Sequence, residues 1–338
     1  VLIVFITRLS PTYDLRFVRN FYEQRIVYVP YCSSDMWLGA QDNYQGSSIM
    51  QAVIEDLIAT VFTPVSVPTP YGPGPNMTSI LNAQRIVIVG KAGVIRNLDH
   101  IATQFIQNSN ISNVKVSGIC DGCLITSTPA PFVSLDTMPC TSDPTTCPPL
   151  ALLQKYASKI WNVQYDYKSL LATSLLFNTK TSLLVQHPQY DISQLQQNRL
   201  PIVGEVWPPS NLLQQKYATQ FSNEIKKIMR AHHQNTGMYT FAPSCRSRTN
   251  ALLSNQTHPG RISKHRSTSL LLTHNGFFCT PIQNCVLLGE NASNASITFA
   301  SSTSMFLNDP SHTFEPKCID ECDGIDCNAY CDVPKCGL

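Results

Sequence analysis

The chain has 338 residues, with 24 Lys plus Arg against 22 Asp plus Glu, a net charge of +2, 43 % hydrophobic and 14 % charged residues. That length suits one large α/β domain or two small ones. The balanced charge excludes the basic footprint of a nucleic-acid binder, and no apolar run reaches the roughly 18 residues of a membrane-spanning helix.

The predicted elements alternate short β-rich runs with amphipathic stretches, the pattern of a mostly parallel sheet covered by helices. Val1–Ile6 and Arg25–Tyr31 read as the first strands. Val1–Ile6 is too short for a signal peptide and lacks its basic start, so the sequence reads as opening inside a mature domain. A helix follows with Ser47 or Ser48 as N-cap, Ile49, Val53, Leu57 and Val61 on one face, and Pro64 as its stop. Thr63–Pro75, rich in Pro and Gly, is a loop.

Arg85–Gly90 is the next strand, Lys91-Ala92-Gly93 a turn, and Val94–Gln107 a helix with Ile95, Leu98, Ile101, Ala102 and Phe105 on one face. Asn113–Ile119 and Ser182–Gln186 are further strands, separated by a loop over Thr126–Pro149 that Cys140 and Cys147 pin. A long helix carries Leu213, Tyr217, Phe221, Ile225 and Ile228 on its core face, and Gly237 follows its end. Met238–Ala242 is the last predicted strand. His232 and His233 read as solvated residues at that helix end rather than as metal ligands.

Cysteine sets the compartment. Of 13 cysteines, Cys318, Cys322, Cys327, Cys331 and Cys336 crowd the end of the chain. Their spacing fits a disulfide knot better than the Cys-x2-Cys pairs of a zinc site, and Cys279 and Cys285 are the nearby partners. Cys120-Asp-Gly-Cys123 follows a strand instead of opening a helix, so it reads as structural cystine rather than a redox motif. Asn76, Asn110, Asn255, Asn291 and Asn294 each head an Asn-x-Ser/Thr triplet. Cystines and glycosylation acceptors together point to a secreted, extracellular glycoprotein. No cofactor or metal site is expected.

A nucleophile elbow would carry Gly-x-Ser-x-Gly between strand and helix. The chain contains none, although the strand–turn–helix over 85–107 has that shape. Here a family resemblance enters. Tyr31-Cys-Ser-Ser-Asp35-Met-Trp37-Leu-Gly39 resembles a signature of the Notum and pectin acetylesterase family, secreted carboxylesterases of α/β-hydrolase fold. Ala83–Gly90 with Ala92-Gly93 and Val94–Asp99 is similar to the family's elbow strand and following helix. Tyr190-Asp191-Ile-Ser-Gln194 resembles the segment bearing the triad acid, and Phe241–Arg248 the segment ending in the catalytic His.

The resemblance implies an α/β-hydrolase-like domain over residues 1–310 and a cystine-rich tail over 311–338 packed on it. It also implies that Lys91 stands at the nucleophile position, Arg248 at the His position and Asp191 at the retained acid position. Thr7–Ser10 follows the first strand where the family has an oxyanion loop. The three positions are expected to converge at the carboxyl edge of the sheet, with Arg248 near enough to Asp191 for an ion pair. A serine esterase needs nucleophile, base and oxyanion donors together. The expected function is therefore a pseudoenzyme that binds copies of itself or extracellular matrix and glycan partners, favoured by a weakly charged, amide-rich surface. The alternative is an active carboxylesterase seen through an incomplete sequence.

Overall fold

The computed structural model describes residues 2–7, 25–29, 37–39, 45–60, 68–69, 72–73, 79–109, 114–127, 167–198, 200, 209, 211–232, 238–247, 281–287, 295–298, 302–303, 306, 316–322, 324–325 and 327. Its centre is a sheet ordered β12-β11-β13-β9-β7-β6-β5-β1-β2. The strands are β1 (Leu2–Thr7), β2 (Arg25–Val29), β5 (Arg85–Gly90), β6 (Lys115–Asp121), β7 (Leu183–Gln186), β9 (Met238–Ala242), β11 (Pro281–Leu287), β12 (Ala295–Thr298) and β13 (Pro316–Ile319), while β3 (Pro68–Thr69) and β4 (Gly72–Pro73) pair separately. Strands β5, β6, β7, β9 and β13 run parallel to one another, in registers such as Gly90↔Cys120, Cys120↔Val185, Val185↔Thr240 and Cys318↔Phe241.

β5, β7 and β9 are buried along their whole length. Their runs of Val, Ile, Leu and aromatics are what a strand covered on both faces requires. The margins of this mostly parallel sheet are antiparallel. β1 pairs antiparallel with both β5 and β2, and β11 pairs antiparallel with β13 and β12.

Six helices cover the strands among the described residues: α1 (Gly46–Ala59), α2 (Ala92–Arg96), α3 (Leu98–Asn108), α4 (Ala172–Asn178), α5 (Ile192–Gln197) and α6 (Leu212–His232). The capping residue expected for the first helix is different. Gln45 is the N-cap of α1 and makes no side-chain cap bond, so neither Ser47 nor Ser48 caps it. The core stripe of α1 keeps Leu57 as expected but takes Met50 and Ile54 in place of Ile49 and Val53. Met50, Ile54 and Leu57 are buried, while Ile49 and Val53 are only partly buried against the core.

The predicted helix over 94–107 is two helices. Asn97 Nδ2 donates to the Gly93 carbonyl at 2.9 Å, and Asn97 itself leaves the helical region at φ −97°, ψ 1°. A side chain that bonds the backbone within its own turn competes with the helical ladder. On α6, Tyr217, Phe221, Ile225 and Ile228 are buried as the spacing predicted, and Leu213 is exposed. His232 corrects the expected solvated helix end, since it is 1 % exposed and burial lowers its pKa to about 4.

α3 packs directly over the sheet. A Cβ on Gly118 would meet the Leu98 Cδ2 methyl at 2.4 Å and the Leu183 Cδ1 methyl at 2.9 Å, so a side chain here would make these core leucines shift. No helix among the described residues is long and apolar enough to cross a membrane.

The carboxyl edge of the sheet as candidate functional site

Parallel α/β sheets place their chemistry beyond the carboxyl ends of the strands. Here that edge is built by the turns after β5, β6 and β7. β5 ends at Gly90, where a Cβ would lie 2.5 Å from Val94 Cβ, so the turn closes directly onto the first turn of α2. Lys91 is the N-cap of α2, its carbonyl accepts from Ile95 N at 3.0 Å, and its side chain is exposed.

The backbone of Lys91 is ordinary. Its φ of −91° and ψ of −176° lie in the extended region. A nucleophile elbow is a sharp, strained turn. The only described non-glycine residue at positive φ is Trp37, at 65°, which is buried within the Tyr31–Gly39 segment. Backbone strain, worth about 1–3 kcal/mol, therefore sits at Trp37 and not at the end of β5.

The turn after β6 is clamped covalently. Cys120 and Cys123 form a disulfide across Asp121 and Gly122, with Gly122 at φ 62° and its N–H donating to the Gln186 carbonyl at 2.8 Å. The pair is a structural cystine here. Cys322–Cys327 is a second disulfide, and Cys245 and Cys318 are also disulfide-bonded.

The connection after β7 is the most heavily braced part of the edge. Gln189 is fully buried and satisfies both ends of its amide. Nε2 donates to the carbonyls of Ala242 (2.9 Å) and Asp320 (2.8 Å), and Oε1 accepts from Ser222 Oγ at 3.1 Å. One side chain thus ties β9, the segment after β13 and α6 together. Tyr190 and Asp191 form β8, a short parallel pair with β10 (Arg246–Ser247) in the register Asp191↔Ser247. Asp191 is 1 % exposed and accepts from Gln194 Nε2 at 3.3 Å. The same Gln194 amide donates to the Leu124 carbonyl, and its Oε1 accepts from Thr126 N at 3.5 Å.

His187 lies in the same connection and was not singled out from the sequence. Its signal would have been a His at a strand end four residues before Asp191. The ring is fully buried, and its Nε2 is 4.0 Å from Asp191 Oδ2, beyond hydrogen-bond length. Burial, and then the positive charge of Lys91, lower its pKa to about 3. A neutral ring makes no ion pair with Asp191. The sensitivity to Lys91 places both residues around one region of the edge.

Lys91 and Asp191 thus both lie at the carboxyl edge. Arg248 lies outside the described residues, as do Asn76, Asn110, Asn255, Asn291 and Asn294 and the cysteines Cys279, Cys331 and Cys336. Cys285 falls within β11. Chemically, the described edge offers a buried carboxylate, Asp191, with the buried His187 ring 4.0 Å away. A histidine that holds a proton only near pH 3 is poorly matched to proton transfer near neutrality. Among the described residues no group of three or more His, Cys, Asp or Glu could hold a metal ion. A cavity of about 730 Å³ lies away from this edge, between α1, α3 and α4, lined by Ser47, Gln51, Glu55, Arg96, His100 and Thr179 among others.

A parallel sheet with a strand–turn–helix after β5 and an acid-bearing loop after β7 is an α/β-hydrolase fold. No family model matches the sequence. The structure of the Wnt deacylase Notum from Drosophila superposes in two crystal forms with TM-scores of 0.53 and 0.55 at 18 % and 17 % identity, covering 91 % of this chain and 73 % and 74 % of that one. The palmitoleoyl-protein carboxylesterase notum1a of Danio rerio is 22 % identical over 257 residues, 68 % of this chain and 43 % of that protein. Its Schmidtea mediterranea counterpart is 24 % identical over 206 residues, 54 % of this chain and 34 % of that protein. The chain therefore spans less than half the length of these curated relatives. The chain is similar to Notum carboxylesterases and has an α/β-hydrolase fold.

Proposed function

We propose that this chain is a secreted glycoprotein that keeps the Notum-type carboxylesterase fold without its catalysis, and that it works by binding. Its partners on this reading are copies of itself or glycans and proteins of the extracellular matrix. The observation that carries the reading is the relaxed, extended Lys91 at the end of β5, where an esterase of this fold needs a strained serine. The buried His187 adds to it, because the histidine beside Asp191 is enclosed and its pKa is lowered to about 3. The described cystines support an oxidising compartment.

The test is turnover of short-chain p-nitrophenyl esters by the glycosylated protein, beside Lys91→Ser and Asp191→Ala. The expected result is that all three match the uncatalysed rate. Hydrolysis by the native chain that disappears in Asp191→Ala would overturn the reading in favour of an active esterase. The braced Asp191 is what favours that second reading. Self-association is tested separately by mass in solution. A monomer at high concentration, with only contacts under about 800 Å², would leave binding to other partners.

A further inference from the structure

Beyond the carboxyl edge, the amino edge of the same sheet holds a buried charge with no carboxylate partner among the described residues. Arg85 opens β5 and is 5 % exposed. Its Nε makes no hydrogen bond, and among the described residues no carboxylate forms an ion pair with it. Burial accordingly lowers its pKa. An unpaired buried cation costs several kcal/mol or more, so such a group is retained where a counter-charge comes to meet it.

The register shows what surrounds it. Arg85 pairs with Lys115 and Val87 with Ser117, so Arg85, Lys115 and Ser117 share one face of the sheet. Gly118, the next residue on β6, faces the other way, under α3. Lys115 is exposed, and Ser117 is buried with a hydroxyl that has no hydrogen-bond partner. Tyr239 of β9 lies on the same face and packs edge-on against Phe306 at 4.8 Å. A guanidinium fork, an ammonium and a hydroxyl donor, with no acid beside them among the described residues, form the donor set that recognises a tetrahedral oxyanion.

We propose that Arg85, Lys115 and Ser117 bind a phosphate- or sulfate-type oxyanion at the amino edge of the sheet, on the edge opposite Lys91 and Asp191. Arg85 supplies the buried charge, the exposed Lys115 a second cation on the same face, and Ser117 a hydroxyl donor from the sheet. The site is independent of any ester chemistry.

The experiment is thermal unfolding of the intact chain in millimolar sodium phosphate or sodium sulfate against sodium chloride at equal ionic strength. Equilibrium dialysis with labelled phosphate runs in parallel. The expected result is a saturable Tm rise specific to the oxyanions, with about one equivalent bound per chain. Arg85→Met should lose both. Lys115→Gln, an exposed change that leaves folding intact, should weaken the midpoint roughly tenfold. If Arg85→Met fails to fold, Lys115→Gln and dialysis decide alone. No bound equivalent, or the same response in the native chain and Lys115→Gln, overturns the proposal.

Discussion

The turn after β5 and the connection after β7 share one edge of the sheet, yet they are built to different standards. Lys91 bridges strand and helix by the shortest route, in relaxed backbone and with an exposed side chain. From His187 to Gln194 nearly every polar group is buried, and Gln189 and Gln194 tie the connection to four other parts of the chain. The difference separates what a hydrolase-type edge needs for chemistry from what it needs to close. The turn at Lys91 leaves its side chain exposed. The connection after β7 buries its polar residues, because they also tie β9, α6 and the segment after β13 together.

Acid should expose that contrast most strongly. His187 and His232 have folded pKa values of about 3 and about 4, against an ordinary 6.5. The unfolded chain therefore binds the extra protons, and stability is fully present above pH 6.5. As pH falls from 6.5 to about 4, it is lost by up to about 2.7 kcal/mol per pH unit if both rings stay neutral in the fold. Denaturant unfolding across that range measures the slope. His187→Gln should halve it, and an unchanged slope would mean that the His187 ring is protonated in the folded chain.

Gln189→Ala comes next. It leaves the Ala242 and Asp320 carbonyls and the Ser222 hydroxyl without this partner, a loss of about 3 kcal/mol in chemical denaturation. Gly90→Ala is smaller, about 2 kcal/mol, because α2 must shift to relieve a Cβ placed 2.5 Å from Val94. Lys91→Ser should be the mildest, within about 0.5 kcal/mol. A large loss from Lys91→Ser would show that the β5 turn carries structural weight after all and would erase the distinction.

Much of this was legible in the sequence where one physical demand dominated. β5 and β9 span the residues predicted, because strands buried on both faces read as unbroken apolar runs. The strand–turn–helix through Lys91 was legible in the same way, since an apolar run meets small residues there. What failed turned on side chains acting across distance. The break at Asn97 depends on its amide finding the Gly93 carbonyl, and helical periodicity carries no sign of it. β11, β12 and β13 were missed because their residues are polar, Cys-bearing or opened by Pro, and tertiary pairing makes them strands. His187 and His232 look like surface residues in sequence, and only the packing around them shows that both are buried.

The place of β13 in the sheet has a consequence for how the protein is made. β9 lies between β7 and β13, and its register Thr240↔Lys317 joins residues far apart in the chain. During synthesis at about 5–20 residues per second, β9 emerges seconds before the strand that covers its open side. For that interval the nascent chain presents an unpaired apolar strand edge, the feature most prone to capture by another chain. The disulfide at Cys318 and the bond from Gln189 to Asp320 can form only afterwards. Final closure of this sheet is a late event, and a chaperone that shields strand edges would act here before any oxidase.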